Sequence, residues 1–221
     1  NYLSLKDQED YAFRLGYAEL QKANYAKARA SFSQLNRNSS KYRDASAYYL
    51  GYIDFREGNY DSALNTFDRL KSNPEYREEA LFFLTQGHFI KNDLKKAITE
   101  GENYMRSYPN SKNVKEIYRI LGNSYNREHD TNTSISYYEK YLQLEEKPLA
   151  QDMYMLGTSY YITGKYQKAI DALKYAASTN DKLGQAAYME LGQAYLKVND
   201  SPNALMAFDA ASRVNFDPAV S

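Results

Sequence analysis

A Leu-Gly pair, followed twelve positions after the Gly by a small residue, recurs along this chain of 221 residues. The copies are Leu15-Gly16 with Ala28, Leu50-Gly51 with Ala63, Leu121-Gly122 with Ser134, Leu156-Gly157 with Ala169, and Leu191-Gly192 with Ala204. A sixth copy, Leu84-Thr85 with Ala97, keeps the phase without the glycine. Stepping from 16 to 51, 85, 122, 157 and 192 gives intervals of 35, 34, 37, 35 and 35 residues. A fixed period of this length marks a solenoid, in which one supersecondary unit is stacked repeatedly on itself.

Within each copy, apolar residues recur at three and four positions in two successive segments, the period of two amphipathic helices. In the second copy the segments are Ala45–Glu57 and Asp61–Leu70, joined by Gly58-Asn59-Tyr60. Gly58 stands where a helix C-terminus favours a left-handed residue, and Asn59 where the next helix is capped. Asn24, Asp93, Asp130 and Asp200 fill the same cap position, with Lys165 the exception. Gly16, Gly51, Gly122, Gly157 and Gly192 fall mid-helix, where each costs roughly 1 kcal/mol relative to Ala. A cost repeated in register has a common cause, the close approach of the two helices. The small residue at Ala28, Ala63, Ser134, Ala169 or Ala204 is expected to face the glycine, with Phe32, Phe67, Tyr138, Leu173 and Phe208 filling the space behind. Pro74, Pro109, Pro148 and Pro218 lie between copies, and Pro202 lies in a first helical turn, where it is tolerated.

These residues resemble the tetratricopeptide repeat (TPR), whose pattern runs Leu-Gly-x-x-Tyr in the first helix and Ala-x-x-x-Phe in the second. Tyr125, Tyr160 and Tyr195 match its first-helix tyrosine, whereas Glu19, Asp54 and His88 depart from it. The resemblance implies an all-α, right-handed superhelical solenoid of about six antiparallel helix-turn-helix repeats, with a concave groove lined by the first helices and a role in binding proteins. Residues 1–221 are expected to form a single TPR solenoid domain, with repeats at about 9–43, 44–77, 78–114, 115–149, 150–184 and 185–218. Residues 1–8 are assigned to the end of a preceding repeat, because Asn1–Leu5 resembles Lys140–Leu144. The chain therefore reads as a piece of a longer array. Second helices are predicted to start near 26, 61, 95, 132, 167 and 202.

Lys plus Arg and Asp plus Glu both number 28, so the chain lacks the basic excess of a nucleic-acid surface. The sequence has no run of eighteen apolar residues for direct membrane insertion. It has no Cys, which excludes disulfides and thiolate chemistry. Its 24 Tyr and frequent Asn resemble TPR proteins of bacterial cell envelopes, which implies a periplasmic or envelope-associated setting, with the cytoplasm as the alternative.

The chemistry is sparse. His88 and His129 are the only histidines. His129 occupies the turn position of Gly58 and Gly164, and His88 the first-helix tyrosine position. Neither belongs to a metal-ligand pair, and the sequence has no Gly-rich phosphate loop or nucleophile elbow. No catalytic residue, metal ligand or cofactor is assigned, and the chain is read as a non-enzyme.

The resemblance places one stripe of each first helix on the concave side. It reads Phe13, Tyr17, Leu20; Tyr48, Tyr52, Phe55; Phe82, Gln86, Phe89; Arg119, Asn123, Asn126; Tyr154, Thr158, Tyr161; and Met189, Gln193, Leu196. Aromatic residues and Arg are the usual anchors of binding surfaces. The expected partner-binding set is Phe13, Tyr17, Tyr48, Tyr52, Phe55, Phe82, Phe89, Arg119, Asn123, Asn126, the adjacent Arg127, Tyr154 and Tyr161. The competing reading is that these rings pack one first helix on the next. Arg119 and Asn123 resemble the start of the clamp by which some TPR proteins grip a chaperone's C-terminal carboxylate. Met155, Ala186 and Glu190 then break that pattern, and a Glu there repels a carboxylate. The function expected is a scaffold binding a protein or peptide in the groove. The alternatives are a structural spacer in a larger assembly and a helical-repeat RNA-binding protein.

Repeat three departs twice, with Thr85 for the glycine and Gly101 for the large residue. It is expected to be the softest repeat, so amides from Thr85 to Tyr104 should exchange faster than those from Leu50 to Leu70. Equal rates in a hydrogen-exchange experiment would contradict this.

Overall fold

Six tight turns, all of one kind, set the architecture. The structure is a computed structural model that describes residues 4–39 and 41–213. Its helices are α1 (Leu5–Gln21), α2 (Tyr25–Asn38), α3 (Arg43–Arg56), α4 (Tyr60–Leu70), α5 (Arg77–Ile90), α6 (Leu94–Ser107), α7 (Val114–Arg127), α8 (Thr131–Leu142), α9 (Ala150–Ile162), α10 (Tyr166–Ala176), α11 (Lys182–Lys197) and α12 (Ser201–Arg213). No strand occurs among the described residues. Second helices start at 25, 60, 94, 131, 166 and 201, each one residue before the predicted position.

Each odd-numbered helix ends on a left-handed residue: Ala23, Gly58, Asn92, His129, Gly164 or Asn199, with φ between 57° and 81°. The residue after it turns its N–H back to a carbonyl five positions earlier, as in Asn59 to Asp54 at 2.8 Å and Lys165 to Tyr160 at 2.8 Å. This is the Schellman arrangement. The same residue's carbonyl then opens the next helix by accepting from Ala28, Ala63, Ala97, Ser134, Ala169 or Ala204 at 3.0–3.1 Å. The small residue of the motif is thus fixed in the first turn of the second helix.

Side-chain capping is narrower than the sequence suggests. Asp130 accepts from the Thr133 N–H and Asp200 from the Asn203 N–H. Asn24, Asn59 and Asp93 make no such bond. Asn24 donates to Glu19 instead, and Asp93 pairs with Lys96. The turn is closed by backbone bonds, so Lys165 serves equally well at that position.

Packing across the hairpins revises the expected contact. It is the large residue, rather than the small one, that lies over the glycine. A β-carbon added at Gly16 would meet the Phe32 ring at 3.0 Å, at Gly122 the Tyr138 ring at 3.0 Å, at Gly157 Leu173 at 2.7 Å and at Gly192 the Phe208 ring at 2.5 Å. The small residue sits beside the glycine backbone, and the Ser134 hydroxyl donates to the Gly122 carbonyl at 2.8 Å. In repeat three Thr85 is wholly buried, its hydroxyl donating to the Leu81 carbonyl at 2.8 Å.

The chain divides into two compact units, residues 1–108 and 109–221, where the period predicts a single solenoid. Each unit holds three antiparallel hairpins. In the first, α2 packs on α1 and α3, and α4 on α3 and α5. In the second, α8 packs on α7 and α9, and α10 on α9 and α11. Residues 5–8 form the first turn of α1, capped by Ser4 through the Asp7 N–H, and so do not belong to a preceding second helix. Residues 1–3 and Pro218 lie outside the described residues.

Phe67 is wholly buried, and Phe67→Ala is expected to lower stability by about 3–5 kcal/mol through the cavity it leaves. Ala23 bears a β-carbon at φ 57°, so Ala23→Gly is expected to raise stability by roughly 1 kcal/mol. Urea midpoints test both.

Candidate interaction surface

In the first unit, aromatic rings join each first helix to the next. Tyr49 of α3 stacks on Phe32 of α2, with centroids 4.9 Å apart, and meets Phe13 and Tyr17 of α1 at 5.9 and 5.7 Å. One repeat later Phe83 of α5 stacks on Phe67 of α4 at 4.7 Å and meets Tyr52 and Phe55 of α3 at 5.9 and 5.1 Å. The stripe expected from sequence is therefore partly packing. Phe13 stacks on Tyr42 at 4.4 Å, Phe55 lies edge-on to Tyr60, and Phe82 contacts Phe83 and Tyr104. Phe89 is half-buried.

Two clefts remain open beside these rings. One, of about 410 Å³, is lined by Tyr17, Leu20, Gln21 and Ala23, and by Tyr25, Tyr48, Tyr49 and Tyr52. The other, of about 760 Å³, lies at the N-terminal ends of α3 and α5, among Phe13, Tyr42, Tyr48, Tyr49 and Tyr76, with Lys41, Arg43, Asp44, Glu75 and Glu79 on its rim. Tyr48 and Tyr49 line both. Burial, reinforced by Glu79, pushes the Tyr48 hydroxyl up to about 12, and burial beside Glu75 does the same to Tyr76. These phenols are neutral, and each presents an apolar face with a polar tip.

The second unit spends its stripe internally. Asn123 is buried, and its amide donates to the Arg119 carbonyl at 3.0 Å and to Asp152 Oδ1 at 2.9 Å. Arg119 forks onto Glu116 at 2.7 and 2.9 Å and lies 3.8 Å from Asp152. Asn126 donates to the Ser159 hydroxyl at 2.8 Å. Tyr154 and Thr158 both donate to Glu190 at 2.7 Å, so the Glu that breaks the clamp pattern ties α9 to α11. Tyr161 rests edge-on against Tyr166, and Arg127 is exposed.

Of the sequence-derived set, Phe13, Tyr17, Tyr48 and Tyr52 line the clefts while each also packs on a neighbouring ring, and Arg119, Asn123, Asn126 and Tyr154 are engaged within the second unit. Tyr49, Tyr25 and Tyr76 belong to the clefts and were not in that set. For Tyr49 the signal is a ring directly before the motif Leu, repeated at Phe83 in the next copy. His129 occupies the left-handed turn at φ 63°. His88 is half-buried, with Nδ1 3.7 Å from Asp93, and burial lowers its basicity. Among the described residues, no group of three or more His, Cys, Asp and Glu is placed to hold a metal ion, and no helix is long and apolar enough to cross a membrane.

Residues 154–218 match the family described as tetratricopeptide repeat, and residues 40–144 match the family described as outer membrane lipoprotein. No curated protein matches the sequence. Among solved structures, YrrB, described as a TPR protein with an unusual peptide-binding site, is similar with a TM-score of 0.70 at 16% identity, over 86% of this chain and 94% of that one. A tetratricopeptide repeat protein from Parabacteroides merdae is similar with a TM-score of 0.65 at 15% identity, over 97% of this chain and 82% of that one. MamA is similar with a TM-score of 0.64 at 20% identity, over 78% of this chain and 92% of that one. At these identities the likeness is one of fold.

Asp152 provides a test of the internal network. Its Oδ2 is buried without a hydrogen-bond partner, and burial raises the carboxyl above the ordinary 3.8, against the opposing effects of Asn123 and Arg119. The folded chain therefore holds this proton more tightly than the unfolded chain. The Asp152 contribution to stability should decline as pH rises from the ordinary value through the folded one. Asp152→Asn should remove that slope and leave the protein at least as stable at neutral pH. Asn123→Ala should cost about 1–3 kcal/mol by leaving Asp152 without its donor. Urea titrations between acid and neutral pH read both.

Proposed function

The chain belongs to the tetratricopeptide-repeat proteins, and from that premise we propose that it is a non-catalytic protein-interaction scaffold that takes a partner segment against the tyrosine clefts of its first unit. The observation that carries this reading is the open cleft of Tyr17, Tyr48, Tyr49 and Tyr52, where the Tyr49 ring of α3 meets Tyr17 of α1 edge-on and stacks on Phe32 of α2. Tyrosines supply contact area at low entropic cost and a hydroxyl for backbone groups of an extended segment. The partner is a peptide or protein segment with apolar side chains spaced to enter the cleft, and with charges that meet the mixed rim of Lys41, Arg43, Glu75 and Glu79. The peptide-binding site described for YrrB, on a similar fold, supports this use of the architecture. The outer membrane lipoprotein match over residues 40–144 supports an envelope-associated setting.

The test is a pair of variants read for both stability and binding. A partner captured from envelope extracts by the wild-type chain should bind Tyr17→Ala and Tyr52→Ala more weakly by about 2 kcal/mol, or about thirtyfold, with urea midpoints nearly unchanged. Lower stability with unaltered affinity would assign these rings to packing alone.

A further inference from the structure

Two successive repeat junctions in the first unit build the same aromatic step with opposite charge. At the first, Tyr42 stands immediately before α3 and stacks on Phe13 of α1, with centroids 4.4 Å apart. The residue before it, Lys41, lies over the Tyr42 ring at 4.6 Å. Its ammonium donates to Asp10 Oδ1 at 2.8 Å, and the Tyr42 hydroxyl donates to the same oxygen at 2.9 Å. Rings, cation and carboxylate are all supplied from within the chain.

One repeat later Tyr76 stands immediately before α5 and stacks on Tyr48 of α3 at 5.6 Å. Tyr48 is the counterpart of Phe13, two positions before the motif Leu. The residue before Tyr76 is Glu75, where the first junction has Lys41. Asp44, Glu75 and Glu79 line the larger cleft with these two rings. Asp44 accepts from the Asn73 amide at 2.9 Å, but among the described residues no cation pairs with any of the three carboxylates. Lys41 is taken by Asp10, and Arg43, exposed at the start of α3, forms no ion pair with them. The first turns of α3 and α5 favour Asp44 and Glu79, yet leave both without a counter-cation. The second junction thus repeats the rings and carboxylates of the first and lacks its cation.

We propose that this half of the larger cleft takes a lysine or arginine side chain of the partner segment, its cation lying against Tyr48 and Tyr76 among Asp44, Glu75 and Glu79. It rests on the reading of the tyrosine clefts as the partner-binding surface and names the chemistry that they select. A cation over a tyrosine ring gains from the ring quadrupole, and a half-buried carboxylate such as Glu79 is screened less than an exposed one. Lys41 on Tyr42 and Asp10 shows that arrangement already made inside the same cleft.

The probe is the peptide Ala-Leu-Ala-Arg-Ala-Leu-Ala, blocked at both ends, added to the isotope-labelled 221-residue chain and followed by NMR. Its counterpart with citrulline for arginine keeps the shape and lacks the charge. The arginine peptide should shift the Tyr48 and Tyr76 ring resonances saturably and bind at least about fivefold more tightly than the citrulline peptide. Raised salt should shrink that ratio. Glu75→Gln combined with Glu79→Gln should bring the two peptides to equal affinity, with the urea midpoint nearly unchanged because neither carboxylate is in an ion pair within the chain. Tyr17→Ala, in the other cleft, should leave the ratio as it is. Absence of saturable shifts with the arginine peptide, equal affinity of both peptides for the wild type, or an arginine preference that survives the double substitution would each overturn the proposal. Equal affinities that Tyr17→Ala weakens together would overturn it while leaving the clefts as the binding surface.

Discussion

A single large side chain in α2, α4 and α8 ties each of these second helices to two first helices. Phe32 lies on Gly16 of its own first helix and stacks on Tyr49 of the next. Phe67 does the same between Gly51 and Phe83. Tyr138 sits on Gly122, and its hydroxyl reaches Met155 Sδ at 3.6 Å. One large residue thus touches three helices. Burying it contributes roughly 1.5–3 kcal/mol, against roughly 1 kcal/mol for the mid-helix glycine that makes room. The glycine is tolerated because the ring uses the space where its β-carbon would stand. The period of the sequence is the spacing of this three-way contact.

The partner that the large residue meets on the next first helix differs between the units. In the first unit it is a ring, Tyr49 or Phe83, whose thickness holds successive first helices apart and leaves tyrosine-lined clefts beside it. In the second unit Tyr138 meets Met155, Glu190 stands at the equivalent place in the sequence and takes hydrogen bonds from α9, the first helices approach more closely, and short polar side chains bridge them. Buried amide, hydroxyl and carboxylate groups must find partners. Asn123 and Asp152, Asn126 and Ser159, and Tyr154, Thr158 and Glu190 find them in one another. One architecture therefore presents an open aromatic face in one unit and a hydrogen-bonded one in the other.

Much of this was legible in the sequence, for a physical reason. Helix starts follow from local periodicity and turn chemistry, and each predicted start lies one residue from the observed one. The left-handed role of His129 follows from its phase with Gly58 and Gly164. What the sequence left ambiguous depends on partners about one repeat away. Asn123 reads as a groove residue until Asp152, 29 positions on, is seen to take its amide. Tyr154 reads as an anchor until Glu190, 36 positions on, takes its hydroxyl. The contact assigned to Ala28 and its equivalents erred similarly. Helical phase names the face of a helix but not which of two neighbouring residues on it lies closer to the glycine.

The hairpin turns explain how such different surfaces share one frame. Each turn is closed by backbone groups and one left-handed residue, and cap side chains are optional, as Lys165 shows beside Asp130. Even the left-handed position admits Ala23, Asn92 and His129 as well as glycine, at a modest local cost. The hairpin angle is therefore insulated from the residues that face solvent or a partner. Surface composition can change from tyrosine to carboxamide to charge between repeats while the wedge, the glycine and the turn hold the spacing.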